Sequence, residues 1–176
     1  MSVNKILVLI ISIFFSENIL SQKYISKNGR INFYSSTKLE DIEAVNNKVA
    51  AVFDAETKRI VFQLKIKDFV FPIPLMQQHF NENYLESDIY PKSIFSGKVM
   101  RIKNGNAEVE GYLTIHGVKK FVKFSGKMLK KEDAIFINST FFVLLDDYNI
   151  SVPKIVMYKI AEKIQVDVNI KLNEMK

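Results

Sequence analysis

The chain has 176 residues, no cysteine and a formal net charge of +6. Without cysteine it has neither a disulfide framework nor a thiolate metal centre, so the fold rests on its hydrophobic core alone. The basic excess favours anionic partners in general and selects none of them.

Residues 1–21 have the pattern of an export signal. Lys5 precedes an apolar run over residues 6–15, and a polar stretch ends in Ile19, Leu20 and Ser21. The run is too short to span a bilayer comfortably and is followed by charged, alternating sequence. Cleavage is expected near Ser21, which leaves residues 22–176 as one domain, periplasmic or secreted. Lys5 and Glu17 leave together, so the net charge is unchanged.

From Tyr24 onward the dominant pattern is strand-like. Asn28-Gly29 lies between two such runs and predicts a tight hairpin turn. Residues 49–53 form a short strand, and Ile60, Phe62, Leu64 and Ile66 then alternate with Arg59, Val61, Gln63, Lys65 and Lys67. The segment 72–90 lacks strand pattern. Within it the spacing predicts a helix over about 74–85, with proline in its first turn and Met76, Phe80 and Tyr84 forming one apolar stripe at i, i+4 and i+8. Asn104-Gly105 predicts a second hairpin. Val109, Gly111, Leu113 and Ile115 follow on one face, and Gly117 and the cluster Lys130-Lys131-Glu132-Asp133 mark further reversals. A strand over 135–145 is succeeded by a helical turn expected at about 154–161, carrying Ile155, Val156 and Ile160. The last strand has the clearest pattern, with Ile164, Val166, Val168, Ile170 and Leu172 on one face against Gln165, Asp167, Asn169 and Lys171. Eight or nine one-sided strands without a long helix predict an all-β antiparallel sheet that closes into a barrel, in preference to splitting into a sandwich.

Several motifs sharpen this. Pro74-Leu75-Met76, the run from His79 to Tyr84, Glu86-Ser87-Asp88, Tyr90-Pro91-Lys92 and Phe95-Ser96-Gly97-Lys98 together resemble the helix-to-strand signature of the YceI-like family. Residues 111–120 look like that family's central hairpin. Asp147-Tyr148-Asn149-Ile150, Pro153-Lys154-Ile155-Val156 and Lys159-Ile160-Ala161 look like its C-terminal loop and short helix. The sequence departs from the family pattern at Asn149, where glycine is common, and at Lys120-Phe121, where a proline-containing pair is common. The resemblance covers about 23–172. It implies an extended, eight-stranded, lipocalin-like barrel whose better-known relatives hold a long isoprenoid or fatty-acyl chain.

A barrel of about eight strands is either filled by its own side chains or wide enough for one ligand. The candidates for the inner wall are Phe33, Phe53, Phe62, Leu64, Phe95, Leu113, Phe141 and Val143, all on the apolar phase of their strands. For each, core packing stands beside ligand contact as the alternative. Ala51, Gly97 and Gly111 on the same phase would leave space beside the rings. Met76, Phe80 and Tyr84 either close one mouth of the barrel or pack permanently on its core. An apolar chain gains roughly 0.8 kcal/mol per buried methylene, so about ten methylenes suffice for tight binding before ordering costs are subtracted. The partner expected is therefore a long-chain apolar or amphiphilic lipid. The contrasting expectation is an exported structural or interaction module with a filled barrel, dimeric through outward positions such as Phe142 and Leu144.

The run of lysines at 119, 120, 123, 127, 130 and 131 reads as a solvated outer face, with contact to an anionic membrane surface as the alternative. Catalytic signals are thin. His79 and His116 stand far apart without cysteine partners and give no zinc spacing. His79 is expected to be an exposed helix residue, and His116 a hairpin-end residue bonded to backbone. Asp146-Asp147 lacks the alternating oxygen ligands of a calcium loop. No nucleophile elbow, phosphate-binding glycine loop, dinucleotide fingerprint or nucleic-acid motif is present. No cofactor, metal or nucleic acid is expected, and an enzyme would require a cleft that clusters His116, Asp147 and Tyr148.

Overall fold

Eight strands run in chain order around a closed barrel, each antiparallel to the next, and the first pairs with the last. They are β1 (Lys23–Ser36), β2 (Asp41–Asp54), β3 (Arg59–Lys65), β4 (Lys92–Lys103), β5 (Asn106–Ile115), β6 (Val118–Lys131), β7 (Ala134–Leu144) and β8 (Lys163–Glu174). This computed structural model describes residues 22–153 and 159–175. The expected signal segment, and residues 154–158 of the expected helical turn with Ile155 and Val156, lie outside the described residues. Lys159 and Ile160 turn into β8.

The alternation works as expected. Phe141 and Val143 face inward on β7, while Phe142 and Leu144 stand outside, about half exposed. Asn104-Gly105 and His116-Gly117 make the β4–β5 and β5–β6 hairpins, with positive φ at both residues of each turn. Asn28-Gly29 corrects the prediction, because no turn occurs there and β1 runs straight through. Gly29 sits where the register with β2 shifts, between Ser26 and Ile31, and a Cβ on it would lie 2.8 Å from Ile170 Cγ1. Glycine is used there for a bulge and a close approach to β8, a role that a strand-interior glycine fills as readily as a turn.

The two ends of the barrel differ. At one end Tyr24 pairs with Phe53, Phe53 with Ile60, Ile60 with Gly97 and Val99 with Val109, so the ladder is continuous across five strands. Tyr24, Val49, Ile60, Val99 and Leu172 lie at this end, none more than 2% exposed.

At the other end two seams open. Among the described residues β2 pairs with β3 only through Ala50, Ala51, Val52 and Phe53, and β6 pairs with β7 only through residues 127–131. The first opening is covered by residues 66–91. Val70 bridges to Val45 through reciprocal backbone hydrogen bonds of 2.9 and 3.1 Å, which aims Phe69 and Phe71 inward. Helix α1 (Pro74–His79) follows, with proline at its start, and continues as a π-helical turn over Phe80–Tyr84. The expected helix at 74–85 is therefore present, in two conformations. The turn Asp146–Tyr148 touches both β6 and β7 beside the second opening, and Asp147 pairs with Lys120.

His116 joins these pieces. Its Nδ1–H donates to the Tyr148 carbonyl at 3.1 Å, its Nε2 lies 2.7 Å from the Glu86 carboxylate, and the Tyr90 ring meets its edge at 4.5 Å. One hairpin residue thus ties the loop after α1 to the turn before β8, and the expected backbone bond is made.

Candidate functional site: an apolar cavity at the open end

The open end encloses a cavity of about 490 Å³. Its wall comes from Phe33 on β1, Leu64 on β3, Leu113 on β5, and Phe141 and Val143 on β7. Met76, Phe80 and Tyr84 form its lid. Eight of the eleven residues predicted from the sequence meet here, brought together from five elements.

Phe80 anchors the lid. Its ring stacks on Phe33 at 5.4 Å and meets Phe71 at 4.9 Å and Phe69 at 5.6 Å, while Phe33 contacts Phe69 and Phe71 at 5.3 and 5.6 Å. Five ring pairs among these four side chains hold the helix against β1, each pair contributing about 0.5–1.5 kcal/mol beyond its buried area. Met76 and Tyr84 remain half-buried at the cavity surface.

Deeper in the barrel lies a second cavity of about 100 Å³, lined by Phe62 and Phe95 together with Ala107, Phe124 and Met128. Phe62 and Phe95 therefore face this chamber, and Leu64, Leu113 and Phe141 border both. The space expected beside Gly97 is occupied, because a Cβ there would stand 2.5 Å from the Phe95 ring, which lies across the glycine. Phe53 lines neither cavity. It is buried at the closed end against Tyr24, with ring centroids 6.4 Å apart.

Phe69, Phe71, Ile150 and Val152 also line the cavity and were not picked out from the sequence. Phe69 and Phe71 carry a short in-out-in alternation around Val70, a legible signal next to the segment without strand pattern. Ile150 and Val152 come from the loop before β8, where no periodicity marks an inward side chain.

Polar groups gather at the mouth. Glu40 and Lys159 pair at 3.6 Å, His79 stands exposed on the helix as expected, and the buried Ser35 hydroxyl accepts the Ala161 N–H at 2.8 Å. Ile73 and Leu75 project beside them, 49% and 60% exposed. The walls below are almost wholly apolar. Ser93, the polar side chain at mid-depth, donates its hydroxyl proton to the Thr114 carbonyl at 2.9 Å.

His116, Asp147 and Tyr148 do come close together, yet each is committed elsewhere. His116 is held by Tyr148 backbone and Glu86, and Asp147 by Lys120. Burial, and then the neighbouring Asp147 charge, pushes the Tyr148 phenol above its ordinary range. Among the described residues no three His, Asp or Glu side chains converge as a metal site, and no helix is long and apolar enough to cross a membrane.

A polyisoprenoid-binding domain from Saccharophagus degradans, implicated in plant cell wall breakdown, superposes with a TM-score of 0.76 at 12% identity, covering 88% of this chain and 99% of that one. BcnA of Burkholderia cenocepacia gives 0.72 at 14% identity, over 82% of this chain and 95% of its own. The Campylobacter jejuni YceI protein gives 0.64 at 20% identity, over 76% and 85%. No curated protein matches the sequence. The family model for the YceI-like domain matches residues 24–172, so with its eight-stranded barrel and lidded cavity this chain belongs to the YceI-like family.

Proposed function

We propose that this protein is an exported, noncatalytic binding protein that holds the long apolar tail of an amphiphilic lipid inside the barrel and leaves the head group at the mouth, for carriage or sequestration. The observation that carries the reading is the 490 Å³ cavity with aliphatic and aromatic walls, opening beside Glu40, His79 and Lys159. Its size lies within the roughly 300–1,000 Å³ usual for small-molecule sites. Burial of an alkyl or isoprenoid chain there gains roughly 0.8 kcal/mol per methylene without any polar contact. The polyisoprenoid-binding relative from Saccharophagus degradans supports the same class of cargo. Export rests on Lys5 and the apolar run over 6–15.

The test is expression of the full chain with its N-terminus intact, followed by native mass spectrometry of the protein from the cell envelope and medium and solvent extraction of any adduct. A processed chain carrying a stoichiometric isoprenoid or acyl lipid is expected. Met76→Asp and Tyr84→Asp, which place charge on the half-buried lid, should remain folded and lose that adduct. A bare mass that refuses added lipids overturns the reading.

One observation favours a second use of the surface. Tyr112 and Phe121 pair across β5 and β6 with rings 5.5 Å apart, and with Phe142 and Leu144 they stay about half exposed beside Lys119, Lys123 and Lys163. This outer face suits a second copy of the chain or the surface of an anionic membrane. Sedimentation across a concentration series and vesicle co-pelleting separate those two partners.

A further inference from the structure

The two cavities are stacked along the barrel and share five wall residues, Ile31, Leu64, Ser93, Leu113 and Phe141. Of the rings there, Phe141 lines both cavities, and Phe62, Phe95 and Phe124 line the lower one. Phe141 on β7 and Phe124 on β6 approach to 4.0 Å between ring centroids, in the stretch where β6 and β7 make no ladder pairs. Phe124 meets Phe95 at 5.7 Å, and Phe95 stacks on Phe62 at 6.1 Å. The chain of rings runs from β7 through β6 and β4 to β3. Below it the smaller chamber continues past Ala107 and Met128.

We infer that Phe141, braced by Phe124, is the floor of the lipid site and sets the length of chain the protein accepts. This rests on the proposed binding of an apolar tail. A tail entering at the lid fills the upper chamber and meets the Phe141 ring. Methylenes beyond that point have no space unless the ring turns away from Phe124. Each methylene above the floor contributes about fourfold in affinity, the factor that corresponds to roughly 0.8 kcal/mol. Those beyond it contribute nothing. The floor is built of side chains rather than backbone, so replacing one ring removes it and joins the lower chamber to the upper.

Straight-chain alcohols from octanol to octadecanol, presented from cyclodextrin and followed by calorimetry, give the affinity as a function of tail length alone. For the wild-type protein the rise of about fourfold per methylene should stop at a defined length. Phe141→Ala should move that break to longer alcohols. Phe141→Leu should move it less. Adding Ala107→Leu to Phe141→Ala, which refills the lower chamber, should bring the break back. Phe124→Ala gives the same reading from the facing strand should Phe141→Ala fail to fold. An identical break in the wild type and in the folded floor variants overturns this inference and leaves the carrier reading standing. A wild-type protein that binds none of the alcohols overturns both.

Discussion

The closed and open ends of this barrel are built from the same alternation and end in opposite states. At the closed end the ladder is continuous from β1 to β5, and Leu172, Val49 and Ile60 are sealed from solvent. At the open end β2 leaves β3 and β6 leaves β7, the inward residues move apart, and Phe33, Phe141 and Val166 keep part of their surface facing a cavity. Strand pairing, more than residue choice, decides which is which. Stability is therefore expected to reside at one end and binding at the other.

That separation can be broken by mutation. Leu172→Ala removes a fully buried side chain from the closed end and should cost about 3–5 kcal/mol in denaturant unfolding, with unchanged lipid stoichiometry in the fraction that folds. Phe80→Ala removes the ring on which the lid is anchored. It should cost less, about 2–3 kcal/mol, because the ring already borders a cavity, yet it should reduce lipid affinity more than tenfold. Equal effects of the two variants on binding would remove the distinction between the ends.

Two smaller effects sharpen it. Gly117 has φ of +73°, and a Cβ there would stand 2.5 Å from the Tyr90 ring that supports His116. Gly117→Ala should cost about 1–2 kcal/mol and speed hydrogen exchange at the open end before the closed end. At the closed end Asp54 accepts the Thr57 and Glu56 N–H groups in the β2–β3 turn, and the Thr57 bond in particular holds its carboxyl below the usual range. A carboxyl lowered in the folded state stabilises above its unfolded pKa of about 3.9, and this contribution is lost as pH falls through the folded value. The small difference in melting temperature between wild type and Asp54→Asn should accordingly shrink on acidification below pH of about 4.

Much of this architecture is legible in the residues. Ile164 to Leu172 announces β8, and Asn104-Gly105 announces a hairpin, because side-chain alternation and positive φ are local properties. Gly29 misleads for the same reason, since Asn-Gly is suited to a turn and to a bulge alike, and only the distant Ile170 decides between them. The site is less legible. Phe53, Phe62 and Phe141 share the inward phase and occupy the closed end, the lower chamber and the floor, respectively. Their depth depends on the stagger between neighbouring strands, which alternation within one strand does not encode. The cavity itself is a matter of where pairing stops.

The loosened seam along β6 bears on how the molecule lives at high concentration. From Val118 to Gly126 this strand carries backbone groups without ladder partners on its β7 side, the kind of edge on which a second chain can template itself. Outward positions in that stretch include Lys119 and Lys123, so two such edges brought together in register would set ammonium groups against each other. Charge along the seam thus opposes fibril growth on the side where the barrel loosens.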